Sequence, residues 1–163
     1  FFIYGSDSEQ LITRPKEIYD GATPSGNSVA ALNLIRLGRL TGKSELEDKG
    51  MAVLHSFSQN IAQYPIGYSF ALMSLLFTKA NPKEIIIIAK DKHAEKAFID
   101  VLQNGFQPFT VSLVHKNDEQ LEQLAPFIKN YTIEPGVSTA YVCENYTCKP
   151  PVQDSEALKE LLM

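Results

Sequence analysis

Between Tyr19 and Ser28 the chain places five residues able to hold a hydroxyl-bearing ligand: Tyr19, Asp20, Ser25, Asn27 and Ser28, within "YDGATPSGNS". A carboxylate, two hydroxyls and an amide supply donors and acceptors, and a tyrosine ring can stack on a sugar face. The same residues admit another reading, in which Asp20 and Ser25 hold a turn and Asn27 caps the following helix. Upstream, Asp7 and Glu9 add carboxylates. Two carboxylates at a set separation are the machinery of glycoside hydrolysis. Spacing along a chain fixes no such separation, so the loop yields substrate-binding candidates and no catalytic residue.

Cys143 and Cys148 lie five positions apart and allow three arrangements. A disulfide would close a very small loop. Half a zinc site would need partners, but His93 and His115 are distant and no second pair exists. Reduced structural thiols would put Cys143 at the buried end of a strand and Cys148 in a turn before Pro150-Pro151. The third is the expectation, and with no signal peptide it implies a reducing, cytoplasmic compartment. Among the histidines, His55 sits in an amphipathic helix as a structural imidazole and His93 in a solvated first helical turn. His115 ends a strand at the carboxyl edge of a sheet, where α/β ligands bind. After the first strand "AKDK" holds no glycine to bring backbone amides to a phosphate. No G-x-S-x-G, H-E-x-x-H or P-loop motif occurs, and neither metal nor cofactor is expected.

The elements that must position these residues fall into two stretches, 1–81 and 82–163. The first opens as a loop, with a weak hairpin over Phe1–Tyr4 and Gln10–Thr13. Ser25, Asn27 or Ser28 can cap a helix over 28–40, and Gly42 can take the left-handed stop. Apolar residues wrap most of that helix, which predicts burial on several sides. "SELE" reads as a capping box, Ser44 with Glu47, opening an amphipathic helix to Ala62. A third, almost wholly apolar helix follows over 66–79. Buried, amphipathic, buried is the alternation of hairpins stacked in an α/α toroid. Three helices cannot close such a ring. Their apolar flanks therefore predict cover from a second copy, making a homo-oligomer, or from a neighbouring chain.

From Lys83 onward strands and helices alternate. "EIIIIA" reads as a strand buried on both faces, hence parallel. A helix over 91–103 follows, then a strand over 109–115 and a helix over 118–130. That helix is capped by Asn117 or Asp118 and interrupted by Pro126. A strand over 138–143 and a helix over 155–163 complete a small three-stranded parallel β-α-β-α-β-α unit. The fold class is therefore α/β, an incomplete toroid followed by this unit.

At 163 residues, with 44% hydrophobic and 21% charged residues, the chain is an ordinary globular polypeptide. A net charge of −4 without a basic run argues against nucleic acid as a partner. No apolar run is long enough to span a bilayer, so a membrane is not expected either. The start "FFIYG", without an initiator Met, reads as a piece of a longer polypeptide.

"RPKEIYDGATPSGNSVAALNLIRLGRLTG" and "AYVCENYTCKPP" together resemble the C-terminal region of the YyaL family, whose animal relatives are spermatogenesis-associated, thioredoxin-domain proteins. The resemblance runs along the whole chain and is densest at 14–42 and 139–151. It implies a parent with an N-terminal thioredoxin-like domain and a six-hairpin α/α toroid, similar to those of glycoside hydrolases and sugar 2-epimerases. The missing toroid hairpins and thioredoxin-like domain become expected partners, and a sugar-like small molecule the expected ligand of the parent. The alternative it leaves open is a non-catalytic scaffold or protein-interaction region attached to the thioredoxin-like domain. On either reading the piece alone is expected to be inactive.

Overall fold

The computed structural model describes residues 1–9, 12–89, 91–116, 118–131, 136–144 and 147–162. Gln10 and Leu11 of the expected hairpin, Lys90 after the first strand, Asn117 as a cap and Met163 at the C-terminus lie outside them. Two compact units are present, residues 1–38 with 43–79, and residues 39–42 with 80–163.

In the first unit the N-terminal segment forms no strand among its described residues, so the hairpin expectation is corrected. Side chains do the pairing instead. The Tyr4 hydroxyl donates to Thr13 O at 2.9 Å, and the Arg14 guanidinium donates to Tyr4 O at 2.8 Å. Helix α1 (Gly26–Thr41) begins two residues earlier than its apolar pattern suggests, because Ser25 takes the cap position. Gly42 follows it at φ +69°, the left-handed stop that a residue with a Cβ adopts only with strain.

Helix α2 (Ser44–Ser56) lacks the expected capping box: Lys43 holds the cap position and makes no side-chain cap bond. The Lys43 N–H donates to Gly38 O and its carbonyl accepts from Leu46 N, which starts the helix at Ser44 itself. Ser44 therefore stands one place too late to cap. The long helix expected to reach Ala62 breaks at Phe57, where φ is −117° and ψ is 14°. Ser56 Oγ donates back to Ala52 O at 2.7 Å, a bond that bends helices, and α3 (Ser58–Gln63) resumes beyond the break. A 3-10 turn over Pro65–Tyr68 leads into α4 (Ser69–Lys79). Ala71, Ser74 and Phe77 of α4 are buried at a spacing of three, whereas Met73 and Leu76 stay exposed. The buried apolar residues of this unit include Ile18, Ala31, Ile35, Leu54 and Ile61.

The second unit is built on a four-stranded sheet in the order β2-β1-β3-β4. Its strands are β1 (Lys83–Ile88), β2 (Thr110–His115), β3 (Thr139–Glu144) and β4 (Thr147–Cys148). Its helices are α5 (Lys92–Asn104), α6 (Glu119–Leu124) and α7 (Ser155–Leu162), with a 3-10 turn over Pro126–Asn130. β1 is covered on both faces as its unbroken apolar run requires. Ile85 and Ile87 pack with Phe98, Ala140, Val142, Leu158 and Leu162 on one side. Ile86 packs with Ala125 and Ile128 on the other.

The all-parallel expectation is corrected. β1 and β2 are parallel, but β3 runs antiparallel to β1, pairing Ile88 with Thr139 and Lys83 with Glu144. A parallel return must retrace the length of a six-residue strand, roughly 20 Å. Between β2 and β3, α6 rises about 9 Å and Pro126 ends its α-helical hydrogen bonding. The chain re-enters the sheet at the end it left, and β3 runs the other way. β4 then turns back against β3 as a short edge strand.

Candidate functional site

The loop before α1 is organised by Asp20, which is 8% exposed. Its main-chain N–H donates to Gly67 O at 2.8 Å. One carboxylate oxygen accepts from Ser25 N at 2.8 Å, and the other from Phe70 N at 2.9 Å and Ala71 N at 3.1 Å. The two latter amides belong to the first turn of α4, whose N–H groups have no partner within the helix. A carboxylate there satisfies them and opposes the helix dipole. Asp20 thus ties its own loop to the start of a helix about fifty residues further on.

The neighbouring polar residues are similarly engaged. Ser25 Oγ accepts from Ser28 N at 3.1 Å and donates to Ser28 Oγ at 2.9 Å, capping α1. Ser28 Oγ reaches Ile18 O at 3.4 Å. Asn27 Nδ2 donates to Phe1 O at 2.8 Å and Glu17 O at 2.7 Å. All four side chains are buried. Asp20, Ser25 and Ser28 are thus linked to one another, Asn27 reaches Phe1 and Glu17 instead, and most of these bonds are to backbone.

Tyr19 differs from them. It is 50% exposed, stands edge-to-face against Tyr68 with centroids 6.0 Å apart, and lines an open groove of about 430 Å³. Ile3, Glu17, Phe57 and Asn60 contribute to the same groove. Asp20, Ser25, Asn27 and Ser28 do not line it, nor do the exposed Asp7 and Glu9.

In the second unit Cys143 and Cys148 form a disulfide, with sulfurs 2.01 Å apart, which corrects the expectation of reduced thiols. The sequence reading treats Cys148 as a turn residue and misses β4. β4 sets Cys148 directly opposite Cys143, and Lys149 N donates to Val142 O beside the pair. That register is a non-hydrogen-bonded one, in which facing side chains come closest. The Tyr131 hydroxyl lies 3.4 Å from Cys143 Sγ and 3.5 Å from Cys148 Sγ. Spacing gave no sign of Tyr131, since only the fold carries it to the cysteines. Burial, with the Glu84 carboxylate and Tyr141 adding to it, pushes the Tyr131 phenol above its ordinary value.

His115 is buried at the end of β2, with Nε2 3.9 Å from Glu122 Oε1. Its Nδ1 has no hydrogen-bond partner among the described residues. His55 and His93 are exposed. Among the described residues no group of three or more His, Cys, Asp or Glu side chains could hold a metal ion, and no helix is long and apolar enough to cross a membrane.

No family model matches the chain, and no solved structure does. Among curated proteins it is similar to human spermatogenesis-associated protein 20, at 33% identity over 156 residues, covering 93% of this chain and 20% of the human protein. The rat protein of the same name is 31% identical, with the same coverage. An uncharacterised Caenorhabditis elegans protein is 25% identical over 164 residues, covering 99% of this chain and 22% of its own length. The chain thus spans about a fifth of the length of the curated relatives it matches, and the likeness is to their C-terminal part.

Proposed function

We propose that this chain is the C-terminal part of a longer YyaL-type protein, where it acts as a non-catalytic scaffold. One observation carries the reading: both carboxylate oxygens of Asp20 accept backbone N–H groups. A general acid, base or nucleophile needs a free oxygen facing substrate. Asp20 instead joins the loop to α4, and Ser25, Asn27 and Ser28 extend the same bracing. Within the parent, the first unit would add its helices to a toroid. The exposed Leu37, Met73 and Leu76 would be covered by a second copy or an adjoining segment. Sedimentation of this chain at increasing concentration separates the two: association supports a second copy, and a strict monomer removes the second copy in favour of the adjoining segment.

A second reading rests on Tyr19 and Tyr68. Their aromatic edges, with Asn60 and Glu17 in the same groove, suit a sugar-like ligand held by stacking and hydroxyl hydrogen bonds. Calorimetric titration of the chain with a panel of mono- and oligosaccharides separates the two. The scaffold reading expects no heat of binding. Saturable heat that disappears in Tyr19→Ala would overturn it in favour of the groove.

A further inference from the structure

We infer that the Cys143–Cys148 pair is a thiol–disulfide exchange site, opened by a dithiol that attacks the sulfur of the exposed Cys148 and expels Cys143. Three features of its surroundings carry the inference: unequal access to the two sulfurs, a hydrogen-bond donor shared between them, and a frame that holds the thiols in register after opening.

Access comes first. Cys143 lies on β3, an inner strand, and is 4% exposed; Cys148 lies on the two-residue edge strand β4 and is exposed. Exchange proceeds by a thiolate meeting one sulfur while the other leaves, and the rate depends on which sulfur can be reached. Here the reachable one is Cys148, so the leaving group is the Cys143 thiolate.

The donor is Tyr131. A disulfide carries no hydrogen, so the phenol O–H alone can donate across the 3.4 Å and 3.5 Å separations. Edge-to-face packing against Phe127 and Tyr141 fixes its ring. The raised phenol keeps its proton throughout the range in which thiols titrate. When the S–S bond breaks, that O–H turns to the charge developing on Cys143 Sγ. A better stabilised thiolate leaves faster. Tyr131 is thus a positioning residue for the leaving sulfur. Glu84, opposite Cys143 on β1, would oppose that charge, but its carboxylate is held by Arg39 at 2.9 Å.

The frame makes the step reversible. β3 is paired with β1 over six residues, Cys143 opposite Glu84 among them, through main-chain contacts that do not depend on the S–S bond. Ala140 and Val152 exchange two main-chain hydrogen bonds of 2.7 and 3.0 Å, and Lys149 N remains bonded to Val142 O. The opened thiols therefore stay opposite each other, ready to close again. The balance is complete. A thiolate of the dithiol forms a mixed disulfide with Cys148 and releases the Cys143 thiolate, which takes up a proton. The second thiol of the reductant, after losing its proton, attacks its own partner sulfur and frees Cys148. Two electrons and two protons pass to the chain, and the dithiol leaves as a disulfide.

The test uses the intact chain in native buffer, quenched with iodoacetamide after timed exposure to dithiothreitol. A parallel exposure to glutathione, with iodoacetamide present to trap the freed thiol, locates the attacked sulfur by peptide mapping. Both cysteines should become alkylated while the circular dichroism of the chain is unchanged, and the glutathione adduct should map to Cys148. Tyr131→Phe should slow opening by roughly threefold to tenfold at an unchanged folded signal. A pair that opens only in denaturant, an adduct on Cys143, or an unchanged rate in folded Tyr131→Phe overturns the inference. Should Tyr131→Phe lose its folded signal, the mapped sulfur of the unsubstituted chain decides the matter.

Discussion

Replacing Asp20 by alanine should destabilise the first unit far more than removal of an ordinary loop acid. The carboxylate accepts three backbone N–H groups at 2.8, 2.9 and 3.1 Å and is 8% exposed. Hydrogen bonds to a charged group are worth at least about 1.5 kcal/mol each, so three give a gross loss of roughly 4.5 kcal/mol. Alanine leaves a space that water can enter, which re-satisfies part of the exposed donors and brings the expected cost to about 3 kcal/mol. Asp20→Asn keeps one acceptor oxygen but turns an NH₂ toward the other donors, and should cost about 1–2 kcal/mol. Urea unfolding gives the total, and amide hydrogen exchange gives its location. Phe70 and Ala71 should lose about two orders of magnitude of protection in Asp20→Ala, as tenfold accompanies each 1.4 kcal/mol. A change within about 0.5 kcal/mol, the range of an unremarkable surface substitution, with unaltered exchange at these amides would refute the bracing role.

Three other outcomes follow from particular contacts. Gly50→Ala in α2 should destabilise by about 1–3 kcal/mol in thermal unfolding, the reverse of the helix-propensity gain, because its Cβ would stand 2.8 Å from Ala31 O and 2.7 Å from Ile35 Cγ1. Joint replacement of Cys143 and Cys148 by alanine should lower the stability of the second unit by about 2 kcal/mol in denaturant unfolding, the modest entropy expected when a link joins residues five positions apart. The raised Tyr131 phenol makes the folded chain hold its proton more tightly than the unfolded chain, so this group's contribution is complete below about pH 10 and falls as pH rises through the folded value. Stability measured against pH should accordingly drop less steeply at alkaline pH in Tyr131→Phe than in the unsubstituted chain.

Much of the second unit was legible because its signals are local. Four successive isoleucines, Ile85 to Ile88, have no polar face to offer, and the strand is buried on both sides. Asp91 and Asp118 cap the helices after them through contacts of two or three residues. Strand direction is not local in that way. It depends on which end of the sheet the chain re-enters after α6, and an apolar run alone reads the same whether its neighbour runs parallel or antiparallel. β4 escaped notice for a related reason: Thr147 and Cys148 are both exposed, so no alternation marks them. Their pairing exists only because β3 lies beside them.

The loop before α1 shows where legibility ends for a site. Residue type marks Asp20, Ser25, Asn27 and Ser28 as polar groups able to hold a ligand; in the fold Asp20, Ser25 and Ser28 bond to one another and Asn27 to Phe1 O and Glu17 O. Type leaves open whether an oxygen faces a ligand or a backbone amide, because both satisfy it equally well. The deciding partners of Asp20, Phe70 and Ala71, are fifty positions away. Their need is itself readable: an α-helix whose first turn follows a 3-10 turn has N–H groups and no Ser, Thr, Asn or Asp beyond Ser69 to cap them nearby. An apolar helix such as α4 that lacks a local cap must take one from elsewhere in the chain. A buried loop carboxylate such as Asp20 can supply it. Asp20 meets that need in the fold, whereas Tyr19, a half-exposed ring in the groove, remains the residue placed to meet a ligand.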